Sequence, residues 1–121
     1  MALTIYHDPR CSKSRQTLAL SEAAGQSPNI VTYLDTPLTE SDLSGLLSRL
    51  GFESAREMMR TGEAIYKEMG LKNVTDEYAL IRVMASFPKL IERPIVINGN
   101  EAAIGRPPEN VLGILPNTPN N

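Results

Sequence analysis

The sequence is poor in the residues that build disulfide and metal sites. Among 121 residues, one is cysteine, one is histidine and none is tryptophan. Cys11 alone forms no internal disulfide and no four-cysteine zinc site, and His7 alone adds no metal constellation. We therefore expect no bound metal or organic cofactor. If Cys11 is oxidised, a thiol from another molecule must reduce it again.

Long apolar runs and a strong excess of one charge are also missing. No stretch approaches the roughly 18 consecutive apolar residues of a membrane-spanning helix, and the N-terminal residues do not resemble a secretory signal. The net charge is −2 and the isoelectric point is about 5.4, which disfavours nucleic acid as the main partner. These absences predict a cytoplasmic protein with neither a membrane nor a nucleic-acid partner. We also expect the protein to be a monomer.

The most informative stretch is residues 3–15. An apolar run, Leu3–Tyr6, ends in a polar loop that contains Pro9, and a helical pattern starts directly after Cys11. Unpaired N–H groups and partial positive charge at a helix N-terminus favour an anion, so Cys11 is expected to be a thiolate near neutral pH and to hold an oxyanion over its sulfur. Three cations lie close by in the sequence: Arg10, Lys13 and Arg15.

A lone cysteine is more often a small buried hydrophobic residue than a nucleophile. Two observations favour the nucleophile for Cys11. Its cationic neighbours are poorly suited to an apolar interior, and the turn residues around it indicate an exposed loop.

Hydrophobic periodicity predicts the order strand, helix, strand, helical block, hairpin, helix. The first helix is expected to bury Leu18, Ala19, Ala23 and Ala24 and to end at Gly25. A second strand is predicted over 29–34, parallel to the first. Helical patterns fill about 39–87, an Asn-Gly turn marks a hairpin over 93–104, and Pro107 begins the last helix.

This order is typical of a thioredoxin-like α/β fold, a four-stranded mixed sheet with a βαβ half and a ββα half. We predict one domain over 1–121, a helical insertion at about 39–87 and a disordered tail over 116–121. In such a sheet the loop after the first strand lies beside the turn that leads into the third. Cys11 is therefore expected near Arg93 and Pro94, with a cis peptide bond before Pro94.

Three stretches together resemble the glutaredoxin-coupled arsenate reductase family, in its short bacterial branch. They are IYHDPRCSKSR at 5–15, ERPIVI at 92–97 and GRPPE at 105–109. The resemblance implies that Cys11 is the nucleophile and that His7 and Ser14 help to keep it ionised. It also implies that the substrate oxyanion is held by three arginines, Arg60, Arg93 and Arg106.

The activity that this resemblance implies is the reduction of arsenate to arsenite. Cys11 would attack arsenic and displace hydroxide, glutathione would add to the bound arsenic, and glutaredoxin would resolve the mixed disulfide. Glutathione and glutaredoxin are thus the expected external reductants and partners. The chain departs from well-studied members at Ser12 and Lys13, where they have glycine and threonine, so its loop could suit another substrate.

Simpler interpretations exist for the individual residues. Arg60 is predicted at a helix end, where a cation merely complements the dipole, and Arg93 and Arg106 could be surface residues. His7 is either a cation near Cys11 or a hydrogen-bonded loop histidine, and the hydroxyl of Ser14 could donate to the sulfur or simply lie in the helix. All three arginines at the family spacing are difficult to explain as surface charge.

Two other functions are compatible with these residues. One is a glutathione-dependent thiol oxidoreductase whose substrate is not arsenate. The other is an Spx-like regulator that binds RNA polymerase, although redox-switching Spx proteins use Cys-x-x-Cys and the second position here is Ser14. Phosphatase-like arsenate reductases are excluded, because they need an arginine six residues after the cysteine, where this chain has Thr17, and further cysteines.

Overall fold

The computed structural model describes residues 3–116, which divide into two compact units. The first comprises the residues up to Thr36 and from Arg93 onward, and the second is Pro37–Glu92. The predicted insertion at about 39–87 falls inside the second unit, whereas the single domain over 1–121 stays a prediction. Most of the predicted disordered tail, residues 117–121, lies outside the described residues.

The first unit is built on a four-stranded sheet with the order β2-β1-β3-β4. Its strands are β1 (Leu3–Tyr6), β2 (Asn29–Val31), β3 (Ile95–Asn98) and β4 (Glu101–Ile104). β1 pairs parallel with β2 and antiparallel with β3, and β3 pairs antiparallel with β4. The predicted four-stranded mixed sheet is thus confirmed.

The central strands β1 and β3 carry the core of the first unit. Leu3, Ile5, Val96 and Val111 are fully buried in one cluster. The β-branched residues of β3 suit such a position. Around this cluster pack four partly buried apolar residues, which are Leu18, Ala103, Ile114 and Leu115.

The helix α1 (Ser12–Ala23) joins β1 to β2, and of its predicted apolar face only Leu18 packs against the core, so the prediction was wrong for the three alanines. Its buried residues are Ser14, Thr17 and Ser21, whereas Ala19, Ala23 and Ala24 are exposed. Small hydroxyl side chains fit here because they bond back to the helix: Thr17 Oγ1 donates to Lys13 O (2.8 Å) and Ser21 Oγ to Thr17 O (3.0 Å). The close approach of helix and sheet needs small residues rather than apolar ones.

The ββ hairpin turns at Gly99, whose φ of 61° suits glycine. β3 and β4 therefore pair in register from Asn98 with Glu101 to Ile95 with Ile104. The last helical segment, Pro108–Ile114, is a 3₁₀ helix. The peptide bonds before Pro94 and Pro107 are both cis.

The second unit contains the helices α2 (Glu40–Leu50), α3 (Ala64–Glu68) and α4 (Glu77–Ser86), with short 3₁₀ segments between them. Thr39 and Asp42 form a reciprocal capping box at the start of α2, and Gly51 ends it in the left-handed conformation. The apolar faces of α2 and α4 pack together through side chains that are fully buried. These are Leu43, Leu46, Leu80 and Met84.

Gly105 lies where the chain has no room for a side chain. A Cβ at this position would be 2.4 Å from Thr17 Oγ1 and 2.9 Å from Pro94 Cγ. We expect Gly105→Ala to lower the free energy of unfolding by about 1–3 kcal/mol, the usual cost of overpacking. Chemical denaturation measures this, and Gly113→Ala is the matched control because a Cβ there meets nothing within 4 Å. Equal stability of the two variants would contradict the close contact.

Candidate active site

Cys11 is the N-cap residue of α1 and is half-buried. Its backbone N–H donates to Asp8 O (3.0 Å), which closes the loop, and its C=O accepts the N–H of Arg15 (3.0 Å), the first bond of the helix. The N-terminal turn of α1 therefore begins at the sulfur-bearing residue. This is the location predicted from the sequence.

The surroundings of Cys11 stabilise its thiolate. Burial alone raises the pKa of the thiol, but four groups lower it by more, so the net pKa lies below the ordinary value. These groups are the backbone N–H of Ser14, the side chain of Arg93, the backbone N–H of Lys13 and the charge of Arg106. The cations that act on Cys11 thus come from distant parts of the chain rather than from Arg10 or Arg15.

Arg106 lies directly against the sulfur. Its Nη2 is 3.4 Å from Cys11 Sγ, and its Nε donates to Arg93 O (2.7 Å). Asn110 Nδ2 in turn donates to Arg106 O (2.9 Å). Arg106 is thus held at both its backbone carbonyl and its Nε, so its guanidinium can present the remaining N–H groups to an oxyanion on the sulfur.

Arg93 is the second cation at the site, and most of its side chain is buried. Burial lowers its pKa, but interactions with Tyr33, Cys11 and Asp8 raise it by more, so the guanidinium stays charged. Its Nε is 3.3 Å from Asp8 Oδ2. Pro94 follows Arg93 through a cis peptide bond and directly precedes β3, so it lies beside Arg93 at this end of the strand.

His7 and Ser14 are both buried and contact each other. His7 Nδ1 is 2.6 Å from Ser14 Oγ, and Ser14 Oγ accepts the N–H of Asp8 (3.0 Å). Burial and the charge of Arg15 lower the pKa of His7 more than Asp8 raises it, so His7 is neutral near pH 7 and does not act as a cation. It is the backbone N–H of Ser14 that stabilises the thiolate, while its hydroxyl contacts His7 and Asp8.

Arg60 belongs to the second unit, and the predicted helix end is wrong. The 3₁₀ segment stops at Met58, and Met59 forms a bridge with Ile91. The backbone N–H of Arg60 donates to Leu90 O (2.7 Å) and its Nε to Glu63 Oε1 (3.1 Å). The role of Arg60 as an oxyanion ligand stays a prediction.

Two contributors to the site were missed in the sequence. Asp8 is 4% exposed and faces Arg93, and Tyr33 is 1% exposed and interacts with the same guanidinium. A carboxylate three residues before a cysteine in a cation-rich loop was a usable signal for Asp8. Tyr33 gave none, because its position in a predicted strand made it an ordinary core residue.

Within residues 3–116, no cluster of three or more His, Cys, Asp or Glu side chains could hold a metal ion. Nor does any helix in this range have the length and apolarity to cross a bilayer. The groups at the sulfur are backbone N–H groups and guanidinium groups. Together with the thiol, these can attack and hold an oxyanion.

The pKa of Cys11 can be measured directly because the chain has one cysteine. We expect the rate of alkylation by iodoacetamide to rise with pH as thiolate forms, with a midpoint below that of the same chain unfolded in urea. The reason is that the backbone N–H groups and guanidinium groups are assembled only in the folded chain. Coincident midpoints for the folded and unfolded chain would show that the thiol is unperturbed.

Comparison with known proteins gives a consistent result. The model of the ArsC family matches residues 6–114. An arsenate reductase of Neisseria meningitidis serogroup A is 48% identical to this chain over 114 residues, which cover 93% of this chain and 97% of that protein. An uncharacterized protein of Escherichia coli K12, YfgD, is 53% identical over 112 residues, which cover 92% of this chain and 94% of that protein. The solved structure of an arsenate reductase from Vibrio cholerae superposes on this chain with a TM-score of 0.93. The two are 48% identical, and the match covers 95% of this chain and 98% of that one.

Proposed function

Since the chain belongs to the ArsC family, we propose that it is an arsenate reductase in which Cys11 is the nucleophile. The observation that carries this proposal is the position of Arg106 Nη2, 3.4 Å from Cys11 Sγ at the N-terminus of α1. A thiolate and an oxyanion-binding group at the same point suit attack on a tetrahedral oxyanion. The arsenate reductases among its relatives support arsenate as that oxyanion.

The first step is attack of the Cys11 thiolate on arsenic. A sulfur–arsenic bond forms and an arsenic–oxygen bond breaks, so that hydroxide leaves and takes up a proton as water. Arg93 and Arg106 stabilise the negative charge of the oxyanion throughout, because their donors are oriented before the substrate arrives. The neutral His7 and the Ser14 hydroxyl hold the loop in the geometry that exposes the sulfur.

Reduction of arsenate to arsenite requires two electrons, and two thiols supply them when they become one disulfide. The chain has one cysteine, so at least one thiol must come from another molecule. We assign this role to glutathione, with glutaredoxin as the protein that takes up the resulting disulfide. Such thiol reductants are characteristic of the reducing cytoplasm, where we place the protein.

Arg60 completes the proposed set of oxyanion ligands, and the enzyme is proposed to act as a monomer. Support for the monomer comes from Cys11, Arg93 and Arg106, which one chain provides together. Support for Arg60 comes from its position in the family pattern and from a side chain already fixed by Glu63.

A coupled assay tests this function. Purified protein, glutathione, glutaredoxin and glutathione reductase are expected to oxidise NADPH in proportion to added arsenate, and omission of glutaredoxin should remove most of the rate. The same mixture without glutaredoxin, with a mixed disulfide of glutathione and a small thiol in place of arsenate and with a blank that lacks the protein, measures general thiol oxidoreductase activity. Turnover of the disulfide without turnover of arsenate would replace the proposed function by the alternative one.

A further inference from the structure

Asp8 is a buried carboxylate for which the proposed reaction has no direct use. Its side chain is 5% exposed, and burying an unpaired charge is costly. Oδ1 accepts the backbone N–H of Arg10 (3.0 Å), and Oδ2 is 3.3 Å from Arg93 Nε. The carboxylate is therefore held between a backbone N–H and a guanidinium inside the loop that carries the nucleophile.

The backbone of Asp8 is as firmly held as its side chain. Its N–H donates to Ser14 Oγ (3.0 Å), and its C=O accepts the N–H of Cys11 (3.0 Å). Asp8 is thus bonded to both ends of the turn that presents the sulfur. A charge fixed in this way can orient a flexible partner at a small loss of conformational entropy.

Arg93 is the partner that needs orienting. Its long side chain comes from the other end of the sequence, is 16% exposed and interacts with the thiol of Cys11. Although its Nε lies 3.3 Å from Asp8 Oδ2, the Nε–H makes no hydrogen bond to any described residue. The attraction to Asp8 is therefore ionic, and the same guanidinium also interacts with Cys11 and Tyr33.

We propose that Asp8 is a positioning residue that holds the guanidinium of Arg93 against Cys11 and gives this buried cation its counter-ion. The inference rests on the proposed function for its catalytic meaning, because only an enzyme that uses Cys11 benefits from the placement. The arrangement itself depends on charge and geometry alone. It can therefore be tested without turnover.

Asp8 could affect the thiolate in two opposite ways. As a nearby negative charge it disfavours the thiolate, and as the support of Arg93 it favours it. Besides Asp8, the charged and titratable groups near the sulfur are Arg93 with its neighbour Tyr33, Arg106, and His7, which is neutral. At the rim of the loop are Lys13, Arg15 and Arg10, and the Nε of Arg10 lies 3.6 Å from Asp8 Oδ1. The interaction with Arg93 lowers the pKa of the Cys11 thiol, so we expect the supporting effect of Asp8 to be the larger one.

Asp8→Asn removes the charge and keeps an acceptor for the Arg10 N–H. We expect it to raise the pKa of Cys11 by about half a unit to one unit. A charged neighbour such as Arg93 shifts a pKa by roughly 1–3 units, and loss of the Asp8 charge offsets part of that effect. The ultraviolet absorbance of the thiolate against pH measures the pKa. Asp35→Asn is the matched control, since it makes the same change in net charge at an exposed carboxylate. It is expected to leave the pKa unchanged.

A double variant separates positioning from other effects. If Asp8 acts through Arg93, then Asp8→Asn should no longer raise the pKa of Cys11 in a chain that already carries Arg93→Ala, where only the loss of the direct negative charge remains. A shift of the same size in both backgrounds would contradict positioning, and so would an unchanged or lowered pKa in Asp8→Asn alone. Because no arsenate is needed, these results are independent of whether the chain reduces arsenate.

A measurement on the unaltered chain covers the case in which Asp8→Asn does not fold. In a ¹⁵N-labelled sample, the Nε–H resonance of Arg93 should exchange with solvent more slowly than that of Arg82, an exposed arginine of α4. Equal exchange of both resonances at neutral pH would overturn the proposal.

Discussion

Cys11→Ser is expected to abolish arsenate reduction, with kcat/KM at least about a thousandfold below that of the parent. The serine hydroxyl is not ionised near neutral pH, and the helix N-terminus and arginines that stabilise a thiolate cannot supply a comparable alkoxide. Serine is nearly the same size as cysteine, and residue 11 is only half-buried. The coupled arsenate assay measures the loss.

The fold of Cys11→Ser is the necessary control. Its thermal unfolding midpoint should match that of the parent within a few degrees, because the backbone bonds of residue 11 to Asp8 and Arg15 remain. Turnover within tenfold of the parent would remove the nucleophile from Cys11. The nucleophile would then have to be a group other than the Cys11 thiolate.

Arg106→Ala is expected to reduce kcat/KM for arsenate by about 10²–10³-fold, the range found when one donor to a developing oxyanion is removed. The variant loses the contact of Nη2 with Cys11 Sγ and the bond of Nε to Arg93 O. The pKa of Cys11 should rise at the same time, because the charge of Arg106 lowers it. Steady-state kinetics and the alkylation profile report the two effects separately.

Two further variants define the role of Arg106. Arg106→Lys retains the charge but not the planar fork, so it should restore much of the lowered pKa of Cys11 and little of kcat/KM. Arg82→Ala removes an exposed arginine of α4 in the second unit and should leave the kinetics unchanged. Equal losses in Arg82→Ala and Arg106→Ala would mean that net charge, rather than local contact, controls arsenate turnover.

The features that local residue patterns specify were predictable. The β-branched residues around Ile95 and the Asn-Gly pair define the hairpin, and Thr39 with Asp42 defines the start of α2, because each signal depends on neighbours in the sequence. The location of Cys11 at the start of α1 follows from the same kind of pattern. These features needed no tertiary information.

Features that depend on tertiary contact were not predictable in the same way. The polar buried face of α1 exists because Thr17 meets Gly105 at a distance that no large side chain allows, and nothing near Thr17 in the sequence shows this. The 3₁₀ end at Met58, which leaves Arg60 outside a helix, follows from a bridge to Ile91. Asp8 was overlooked because its significance depends on Arg93, 85 residues later in the sequence.

The central claim is that an oxyanion binds on the sulfur of Cys11 between guanidinium groups. The direct test is the rate at which iodoacetamide alkylates Cys11 in the presence of increasing arsenate at constant pH and ionic strength. The account predicts saturable protection by arsenate, none by chloride, and weaker protection in Arg106→Ala. An alkylation rate that does not change with arsenate concentration would contradict it.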